Sequence, residues 1–457
     1  MGFDPLEALT PIDGRYREAV RECSSYFSEH ALIRHRLYVE VRYLRSFLKA
    51  VGWRGVLSEL ELLEHDVQGL SLEEAAEVKH LEKRLGHDVV AAAAYLEKKL
   101  EQLGLAELKP FIHFGLTSED VNNIAYSLAV GSFIAQTYIP ELLKLVEKLT
   151  TLAEAHKSTP FLARTHGQPA VPTTFGSYLA NYAYRLASLT KKLKNLKPQA
   201  KLGGAVGDLS ALKTTYPEVD WTSFSEEFIN SLGLEHNPAP TQALPHERMS
   251  EILGTVALTN SIISNLCKDL WTLGGLGLVA FSKQADQIHS STMPQKRNPL
   301  KLENAEGALD LSTAMLSYMS TRLLASRLHR DLSDSIIKRF YGAALALSLL
   351  GVKNTHKGLE ELHVDAEAMR KEVDGNKQAS LEAIQLTLRK HGVEDGYRLA
   401  AEAAEKGLEW LRQQLEQRGK DPSIVQDPTN QYIQAAEEKT TYLINRTRNQ
   451  TKTLKLF

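Results

Sequence analysis

The sequence has few cysteines and lacks the long apolar runs and leader segments that mark several protein classes. Two cysteines, Cys23 and Cys267, stand among 457 residues. This count suits a reducing compartment and excludes a disulfide framework or a cysteine-based zinc site. No uninterrupted apolar run reaches the length of about 18 residues that a membrane span needs. Since the first residues carry neither a signal peptide nor a myristoylation pattern, we expect a cytoplasmic protein without a membrane span.

A large charge of either sign is also missing. The formal net charge at pH 7 is −2, which argues against a general nucleic-acid or polyanion binder and leaves room for a local basic pocket. Hydrophobic residues make up 43% and charged residues 24% of the chain, as in an ordinary globular protein. We therefore expect no nucleic-acid partner.

Alternating apolar and polar runs of strand length are scarce in this sequence. Apolar residues recur instead at three- and four-residue spacings, most clearly in 141–156, 248–270 and 337–352. The pattern predicts an all-α protein, in which the best strand candidates are the short segments 161–163 and 203–206.

The longest predicted helices fall in the middle of the chain and are also rich in small residues. Helices that are apolar on more than one face often bury the excess against another subunit. We predict an elongated subunit with a central long-helix bundle at 114–359, flanked by smaller helical domains at 1–113 and 360–457. The same pattern predicts a helical-bundle oligomer.

Three polar segments interrupt the helical pattern, at 9–16, 158–173 and 282–299. Loops carry function more often than helices do, and the third segment is the most informative. It places the hydroxyls of Ser290 and Ser291 ahead of Lys296 and Asn298. We interpret it as a mobile flap with a proton-transfer group, a positive charge and an amide. Such a set suits a reaction in which negative charge develops on a carboxylate.

A polar segment at 164–169 contains His166. Histidine titrates closest to neutrality, so His166 is a candidate general acid or base. A hydrogen-bonded histidine in a proline-rich turn explains the segment as well. The pair His87-Asp88, interpreted as part of a helical segment after Gly86, is by itself typical of a solvated helix face.

Thr117 and Ser118 precede acidic residues, as at the start of a helix. The free N–H groups and the dipole of such an end attract a carboxylate or phosphate, although a plain N-cap explains the pattern equally. Further along, 203–207 matches no nucleotide-binding fingerprint and is interpreted as a close-packed turn. No metal-site spacing of histidines or carboxylates is present in the sequence.

Basic residues crowd one short region together with several serines. Clustered arginines and hydroxyls bind phosphate through charge-assisted hydrogen bonds. A solvated basic face paired with Asp331 and Asp334 is the competing interpretation. The basic residues are Arg322, Arg327, Arg330, Lys338 and Arg339.

Together these motifs resemble the fumarase/aspartase superfamily of lyases and, within it, the adenylosuccinate lyase family. The flap matches the superfamily signature Ser-Ser-x-Met-Pro-x-Lys-x-Asn, with Glu303 closing it. The C-terminal part of the chain matches only loosely. Other matching stretches are 11–16, 87–88, 117–120, 164–170, 216–221, 241–242 and 330–339.

The resemblance implies that the chain splits adenylosuccinate into AMP and fumarate by β-elimination. It also implies the analogous cleavage of the succinylated aminoimidazole carboxamide ribotide of purine biosynthesis. Members of the family are homotetramers whose active sites are shared between subunits. The resemblance implies no cofactor, because the substrate carboxylate takes up the developing charge.

The resemblance assigns the chemistry to four residues. Ser290 corresponds to the general base, and Lys296 would stabilise the dianion that forms. His166 corresponds to the general acid for the departing amine, and His87 would orient substrate and tune His166.

The resemblance also assigns the substrate-binding residues. Asn298 would support Lys296, and the succinyl group would be held at the start of the predicted helix. The nucleotide and its phosphate would be held by basic and hydroxyl side chains. The residues implied for binding are Arg15, Tyr16, Asp88, Thr117, Ser118, Gln242, Asn298, Arg330, Ser335 and Arg339.

Two departures from the family pattern lie in the flap. His289 stands where glycine is usual, and a side chain there restricts bending. Gln295 stands where the family often has histidine. Alternative interpretations are a sibling lyase acting on argininosuccinate and a helical oligomer without catalysis. The 330–339 cluster favours a nucleotide substrate over argininosuccinate, because only a nucleotide brings a phosphate to bind.

Overall fold

The computed structural model describes residues 5–282, 293 and 297–455. The chain forms two compact units, each built from three separate segments. The first unit comprises Met1–Glu141, Lys192–Ser261 and Ala308–Gly351. The second comprises Leu142–Lys191, Ile262–Gly307 and Val352–Phe457. The division into domains at 1–113, 114–359 and 360–457 stays a prediction.

Eighteen α-helices account for most of the described residues, which confirms the all-α prediction. Shorter 3-10 helices lie at Pro5–Glu7, Arg17–Ala19, Arg21–Cys23, Ala106–Phe111, Lys377–Ser380 and Pro422–Ile424, and a π-helical turn at Ile134–Tyr138. The α-helices are α1 (Ser24–Phe27), α2 (Glu29–Ala50), α3 (Leu57–Gln68), α4 (Leu72–Leu85), α5 (Asp88–Gln102), α6 (Ser118–Phe133), α7 (Ile139–Ala155), α8 (Phe175–Asn195), α9 (Ser210–Thr215), α10 (Trp221–Ser231), α11 (Glu247–Gly275), α12 (Leu300–Arg322), α13 (Ser333–Arg339), α14 (Tyr341–Glu360), α15 (Ala366–Gly375), α16 (Leu381–Lys390), α17 (Gly396–Gln417) and α18 (Thr429–Lys455).

The strands of the described residues pair into three two-stranded sheets. The antiparallel sheets join β1 to β2 and β5 to β6, while β3 and β4 pair in parallel. The strands are β1 (Pro160–Thr165), β2 (Gln168–Thr174), β3 (Gln199–Ala200), β4 (Glu235–His236), β5 (Val279–Phe281) and β6 (Leu362–Val364).

The predicted helices and strands can be compared with these bounds. The stripes at 141–156 and 248–270 correspond to α7 and α11, and the third stripe spans the end of α13 and the first half of α14. The strand candidate 161–163 lies within β1, but 203–206 forms a turn. The strand prediction at 203–206 was wrong because the N–H groups of Gly203 and Gly204 donate to the Asp120 carboxylate instead of to a neighbouring strand.

The core of the first unit is built around α2. Its buried face carries Tyr43 and Phe47, which contact the rings of Trp221 and Phe228. Arg36 and Glu40 lie on the same buried side of α2 and are each 2% exposed. Charged groups in such positions require partners. The partners of Arg36 lie at the candidate site.

The stretch Ser333–Glu360 is, among the described residues, the one long and apolar enough to cross a membrane by length and composition. Of its most apolar window, 61% is buried inside the protein. A buried core helix meets the same two criteria, so the stretch is weak evidence for a membrane span.

Candidate active site

Two helix N-termini of the first unit bring His87 and Ser118 together. Gly86 adopts a left-handed conformation and ends α4, so His87 is the N-cap of α5. The prediction that His87 lies inside a helix was therefore wrong. Its Nδ1 accepts a hydrogen bond from the Val90 N–H at 3.4 Å, and its Nε2 lies 3.5 Å from the Ser118 Oγ. With Nδ1 as acceptor, Nε2 of the neutral ring carries the proton and faces Ser118.

Asp88, the first residue of α5, is held between two arginines. Its Oδ2 accepts hydrogen bonds from Arg36 at 2.5 Å and from Arg339 at 3.2 Å, and its Oδ1 accepts from the Val89 N–H at 2.9 Å. Burial alone would raise the pKa of Asp88, but the charge of Arg36, the Val89 N–H and the charge of Arg339 hold it below its ordinary value. Asp88 is therefore an anionic anchor for Arg339.

Thr117 and Ser118 begin α6, where an N-terminus was predicted. The Thr117 N–H donates to Asp120 Oδ2 at 2.9 Å, which is one half of a capping box. Asp120 is fully buried and also accepts from the ammonium group of Lys201 at 2.7 Å. The same carboxylate therefore fixes the start of α6 and, through Gly203 and Gly204, the adjoining turn.

The glycine-rich turn packs closely against the segment that carries Gln242. A Cβ atom on Gly207 would lie 2.3 Å from the Pro240 carbonyl oxygen, so a larger residue cannot replace this glycine without a shift. Gln242 donates its side-chain amide to the Ala205 carbonyl at 2.9 Å. The turn at 203–207 is close-packed, as predicted, and it holds Gln242 in place.

A closed ring of four charged side chains lies beside the start of α6. It consists of Glu119, Lys338, Asp334 and Arg330, and is called the charge ring below. Lys338 lies 2.6 Å from Glu119 Oε1 and 2.6 Å from Asp334 Oδ2. Arg330 lies 2.7 Å from Asp334 Oδ2 and 3.2 Å from Glu119 Oε2. Each cation therefore contacts both carboxylates, and each carboxylate contacts both cations.

Electrostatics favour the charged forms of Lys338 and Asp334 in the charge ring. Burial alone would lower the pKa of Lys338, but Glu119 and Asp334 raise it above its ordinary value. Burial alone would raise the pKa of Asp334, but Lys338 and Arg330 hold it below its ordinary value. The ring therefore balances two negative with two positive charges.

His246 is 7% exposed, and the charges of Lys338, Asp334 and Arg330 act on its pKa. Neither ring nitrogen has a hydrogen-bond partner among the residues that the structure describes. Burial and the charge of Lys338 lower the pKa of His246 to about 3, so its imidazole is neutral at physiological pH. A neutral imidazole adds no charge beside the balanced ring.

The predicted nucleotide-binding residues lie in two segments of the first unit. Arg15 lies over the ring of Tyr16, with 6.0 Å between the guanidinium carbon and the ring centroid. Ser335 and Arg339 both belong to α13. Arg339 also donates a hydrogen bond to Glu29 at 3.1 Å. Both residues line a cavity of about 420 Å³, whose wall includes further side chains from the segment 10–29.

His166 belongs to the second unit, at the tip of the hairpin formed by β1 and β2. Thr165 pairs with Gln168, so His166 and Gly167 form a two-residue turn. Their φ angles are 54° and 74°, both in the left-handed region. Two-residue hairpin turns with positive φ at both positions match the twist of the strands, and histidine adopts this region more readily than most residues. The predicted proline-rich loop is thus a hairpin that presents an exposed imidazole.

The hairpin is fixed by contacts on either side of its tip. Arg164 forms an ion pair with Glu372 of α15, and the strand register shifts by one residue between Leu162 and Arg164. Arg164 and Gly167 border a cavity of about 490 Å³ in the second unit. The fixed base and exposed tip therefore place His166 at the edge of a cavity region.

Part of the predicted site lies outside the described residues. This holds for Ser290, Ser291, Lys296, His289 and Gln295. Asn298 is described, is partly buried, and lies two residues before α12.

The sequence analysis did not single out Arg36 and Glu119, and it named Lys338 and Asp334 only as members of a basic cluster and its acidic partners. Two signals could have found some of them. Arg36 interrupts the apolar stripe of α2, and 330, 334 and 338 follow at four-residue spacings with alternating charge. Glu119 gave no such signal, because its partner Lys338 is 219 positions away.

The chain matches known families and proteins over most of its length. Residues 14–310 match a family described as lyase, and 326–436 match one described as adenylosuccinate lyase C-terminal. The adenylosuccinate lyase of Haemophilus influenzae is 38% identical over 404 residues, covering 87% of this chain and 88% of that protein. The adenylosuccinate lyase of Escherichia coli strain K12 is 37% identical over 404 residues with the same coverage.

Solved structures share the fold at low sequence identity. The 3-carboxy-cis,cis-muconate lactonizing enzyme of Pseudomonas putida has a TM-score of 0.75 and 21% identity, covering 95% of this chain and 98% of that one. A fumarate lyase from a Mesorhizobium species has a TM-score of 0.72 and 18% identity, covering 96% and 98%. At these identities the likeness concerns the fold.

Proposed function

Because the chain belongs to the adenylosuccinate lyase family, as its motifs predicted, we propose that it eliminates fumarate from adenylosuccinate to leave AMP. The same reaction type would act on the succinylated aminoimidazole carboxamide ribotide. The observation that carries the proposal is the cluster of anion-binding groups in the first unit. There a helix N-terminus with Ser118 and His87 adjoins the cationic residues Arg330 and Arg339.

This cluster suits a substrate with separate anionic groups. The N–H groups and dipole at the start of α6 favour a carboxylate of the succinyl group. Arginine binds phosphate through two parallel hydrogen bonds, which suits the nucleotide end. We propose that Thr117, Ser118 and Gln242 hold the succinyl group.

The nucleotide end would be held by a second set of residues. Arg15, Tyr16, Arg330, Ser335 and Arg339 are proposed to hold the nucleotide and its phosphate. Asp88 supports this set, because it bonds Arg339 at 3.2 Å.

The chemistry requires removal of a proton from carbon and delivery of one to nitrogen. We propose that Ser290 removes the proton next to a substrate carboxylate, while Lys296 and Asn298 stabilise the dianion that forms. His166 would then protonate the departing amine. The neutral tautomer of His87, which directs its Nε2–H toward Ser118, suits a role in orienting substrate.

A serine hydroxyl is a weak base, so its deprotonation needs a closed and positively charged site. A base carried on a flap meets this need, since closure excludes water after substrate has bound. We further propose a cytoplasmic homotetramer in which neighbouring subunits complete each active site. An argininosuccinate substrate is not favoured, since it has no phosphate for Arg330 to bind.

The proposal is tested by incubating the purified protein with adenylosuccinate and following ultraviolet absorbance as AMP forms. We expect turnover by the wild-type protein and loss of turnover in Ser290→Ala and His166→Ala. His391→Ala is a matched control, because His391 is an exposed histidine of the second unit outside the proposed site. Absence of turnover by the wild-type protein would refute the proposal.

Ser291→Ala separates the two neighbouring hydroxyls. We expect this variant to keep most of its turnover while Ser290→Ala loses it. The reverse result would move the base to Ser291. Size-exclusion chromatography of each variant checks that the oligomer is intact.

A further inference from the structure

We infer that Lys338 is a positioning residue that leaves the charge of Arg330 available to the substrate phosphate. The inference rests on the proposed function, in which Arg330 holds that phosphate. Lys338 itself is only 3% exposed, and its ammonium group lies 2.6 Å from both Glu119 and Asp334. A group enclosed in this way does not reach a ligand, so its effect must pass through its neighbours.

Charge counting shows what Lys338 contributes. Arg330 alone would face two carboxylates, Glu119 and Asp334, and the three groups would sum to −1. Together these three groups would repel a phosphate dianion more than they attract it. Lys338 brings the sum to zero, so a phosphate meets a balanced site in which the guanidinium is the more accessible cation.

Accessibility supports this division of roles. The side chain of Arg330 is 17% exposed, whereas that of Lys338 is 3% exposed. The two cations bond the same two carboxylates, but the Arg330 guanidinium has five N–H donors where the Lys338 ammonium has three. Lys338 therefore acts as the inner counter-charge and Arg330 as the outer, ligand-facing one.

The charge ring also fixes the distance between the two ends of the proposed site. Glu119 directly follows Ser118 at the start of α6. Arg330 lies just before α13, and Asp334 lies in its first turn. Both carboxylates are held by Lys338, so its loss would leave the 3.2 Å contact between Arg330 and Glu119 as the one link of the charge ring between these two segments. Lys338 therefore reinforces the spacing of the two subsites, which Arg330 alone would hold by a single contact with Glu119.

The test compares inhibition by the two products, AMP and fumarate, in adenylosuccinate turnover by the intact enzyme. Only AMP carries the phosphate. We expect Lys338→Met to raise the inhibition constant for AMP at least about tenfold, as when one partner of a buried charge pair is removed. The inhibition constant for fumarate should change less than about threefold. A change of equal size for both products, or for neither, would overturn the inference.

Charge-restoring variants separate this role from a loss of folding. Glu119→Gln alone makes the ring sum +1 and should strengthen AMP binding or leave it unchanged. The double variant Glu119→Gln with Lys338→Met returns the sum to zero and should recover AMP inhibition to within about threefold of wild type. If Glu119→Gln weakens AMP binding and the double variant shows no recovery, the charge-balance role is wrong.

Lys98→Met serves as the matched control, since it removes a lysine that pairs with Glu77 on the surface of α5. Its product inhibition should equal that of the wild-type protein. Failure of the proposed function would appear differently, as absence of adenylosuccinate turnover in the wild-type protein itself. In that case, direct titration of the wild-type protein and Lys338→Met with AMP still tests the inference, and equal affinities would overturn it.

Discussion

The charge ring of the first unit and the hairpin tip of the second are built in opposite ways. In the charge ring every cation contacts both carboxylates, and Lys338 is almost completely buried. At the hairpin tip, His166 is exposed and sits in a left-handed backbone conformation. If the charge ring and His166 have the roles proposed above, the comparison teaches that binding and proton transfer make different demands. A binding group gains from being fixed and balanced before the ligand arrives, whereas a proton donor must reach the reacting atoms.

The largest effect that we expect from this comparison is a loss of activity without a loss of stability. His166→Asn should lower kcat by about 10²- to 10⁴-fold, the contribution of a positioned acid or base. Its melting temperature should stay near that of the wild-type protein, because asparagine tolerates positive φ. Steady-state kinetics and thermal unfolding measure the two quantities. A melting temperature that falls along with kcat would mean that His166 is structural.

The charge ring should respond in the opposite way. Glu119→Ala leaves Lys338 and Arg330 with one carboxylate between them, and breaking a buried ion pair costs about 3–5 kcal/mol. We expect a loss of this size in the free energy of unfolding, measured by urea denaturation. As the surface counterpart, Glu77→Ala removes an exposed pair and should cost less than about 1 kcal/mol. Equal losses in the two variants would contradict the buried-ring description.

His246, beside the charge ring, should make the free energy of unfolding depend on pH in the acid range. The pKa of His246 is about 3 in the folded protein, below the value of about 6.5 for an unfolded histidine. Below pH 6.5 the unfolded state binds the extra proton, so this histidine makes stability fall as pH decreases. His246→Leu should therefore weaken the loss of stability between pH 6.5 and 4.5 by about 2 kcal/mol. An acid limb identical to that of the wild-type protein would refute this.

The smallest expected effect concerns the turn that presents His166. Gly167→Ala forces a side chain into a backbone with φ of 74°, which costs about 1 kcal/mol. We expect a slightly lower melting temperature, together with a fall in kcat from misdirection of the imidazole. Ala163→Gly, a change within the same strand pair, is a control for general weakening of the hairpin. If it lowers kcat as much as Gly167→Ala does, the turn geometry has no special role.

Much of the fold followed from the sequence because helices obey local rules. The N-terminus predicted at Thr117 is set by Asp120, three positions later. Local rules failed at 203–206, where the N–H groups are taken by Asp120, a residue about eighty positions earlier in the chain. They also misplaced His87, which was predicted inside the helical segment after Gly86 but is the N-cap of α5, one residue before the helix begins at Asp88.

The candidate site was accessible from the sequence only in part. The hydroxyls, histidines and arginines were singled out by type and spacing, and family resemblance supplied their roles. The charge ring was not predicted, since Lys338 read as one more member of a basic cluster. Its pairing with Glu119 depends on the fold that joins α6 and α13. Of the two carboxylates that balance the basic residues, Asp334 was named from the sequence as a pairing partner, whereas Glu119 was not.

The contrast between the two regions is tested most directly by measuring kcat and KM for adenylosuccinate in His166→Ala and Lys338→Met side by side. We expect His166→Ala to lower kcat at least about 10²-fold with KM within about threefold of wild type. We expect Lys338→Met to raise KM about tenfold or more with kcat within about threefold. The opposite assignment, or the same change of kcat and KM in both variants, would contradict the separation of a prebuilt binding ring from an exposed proton donor.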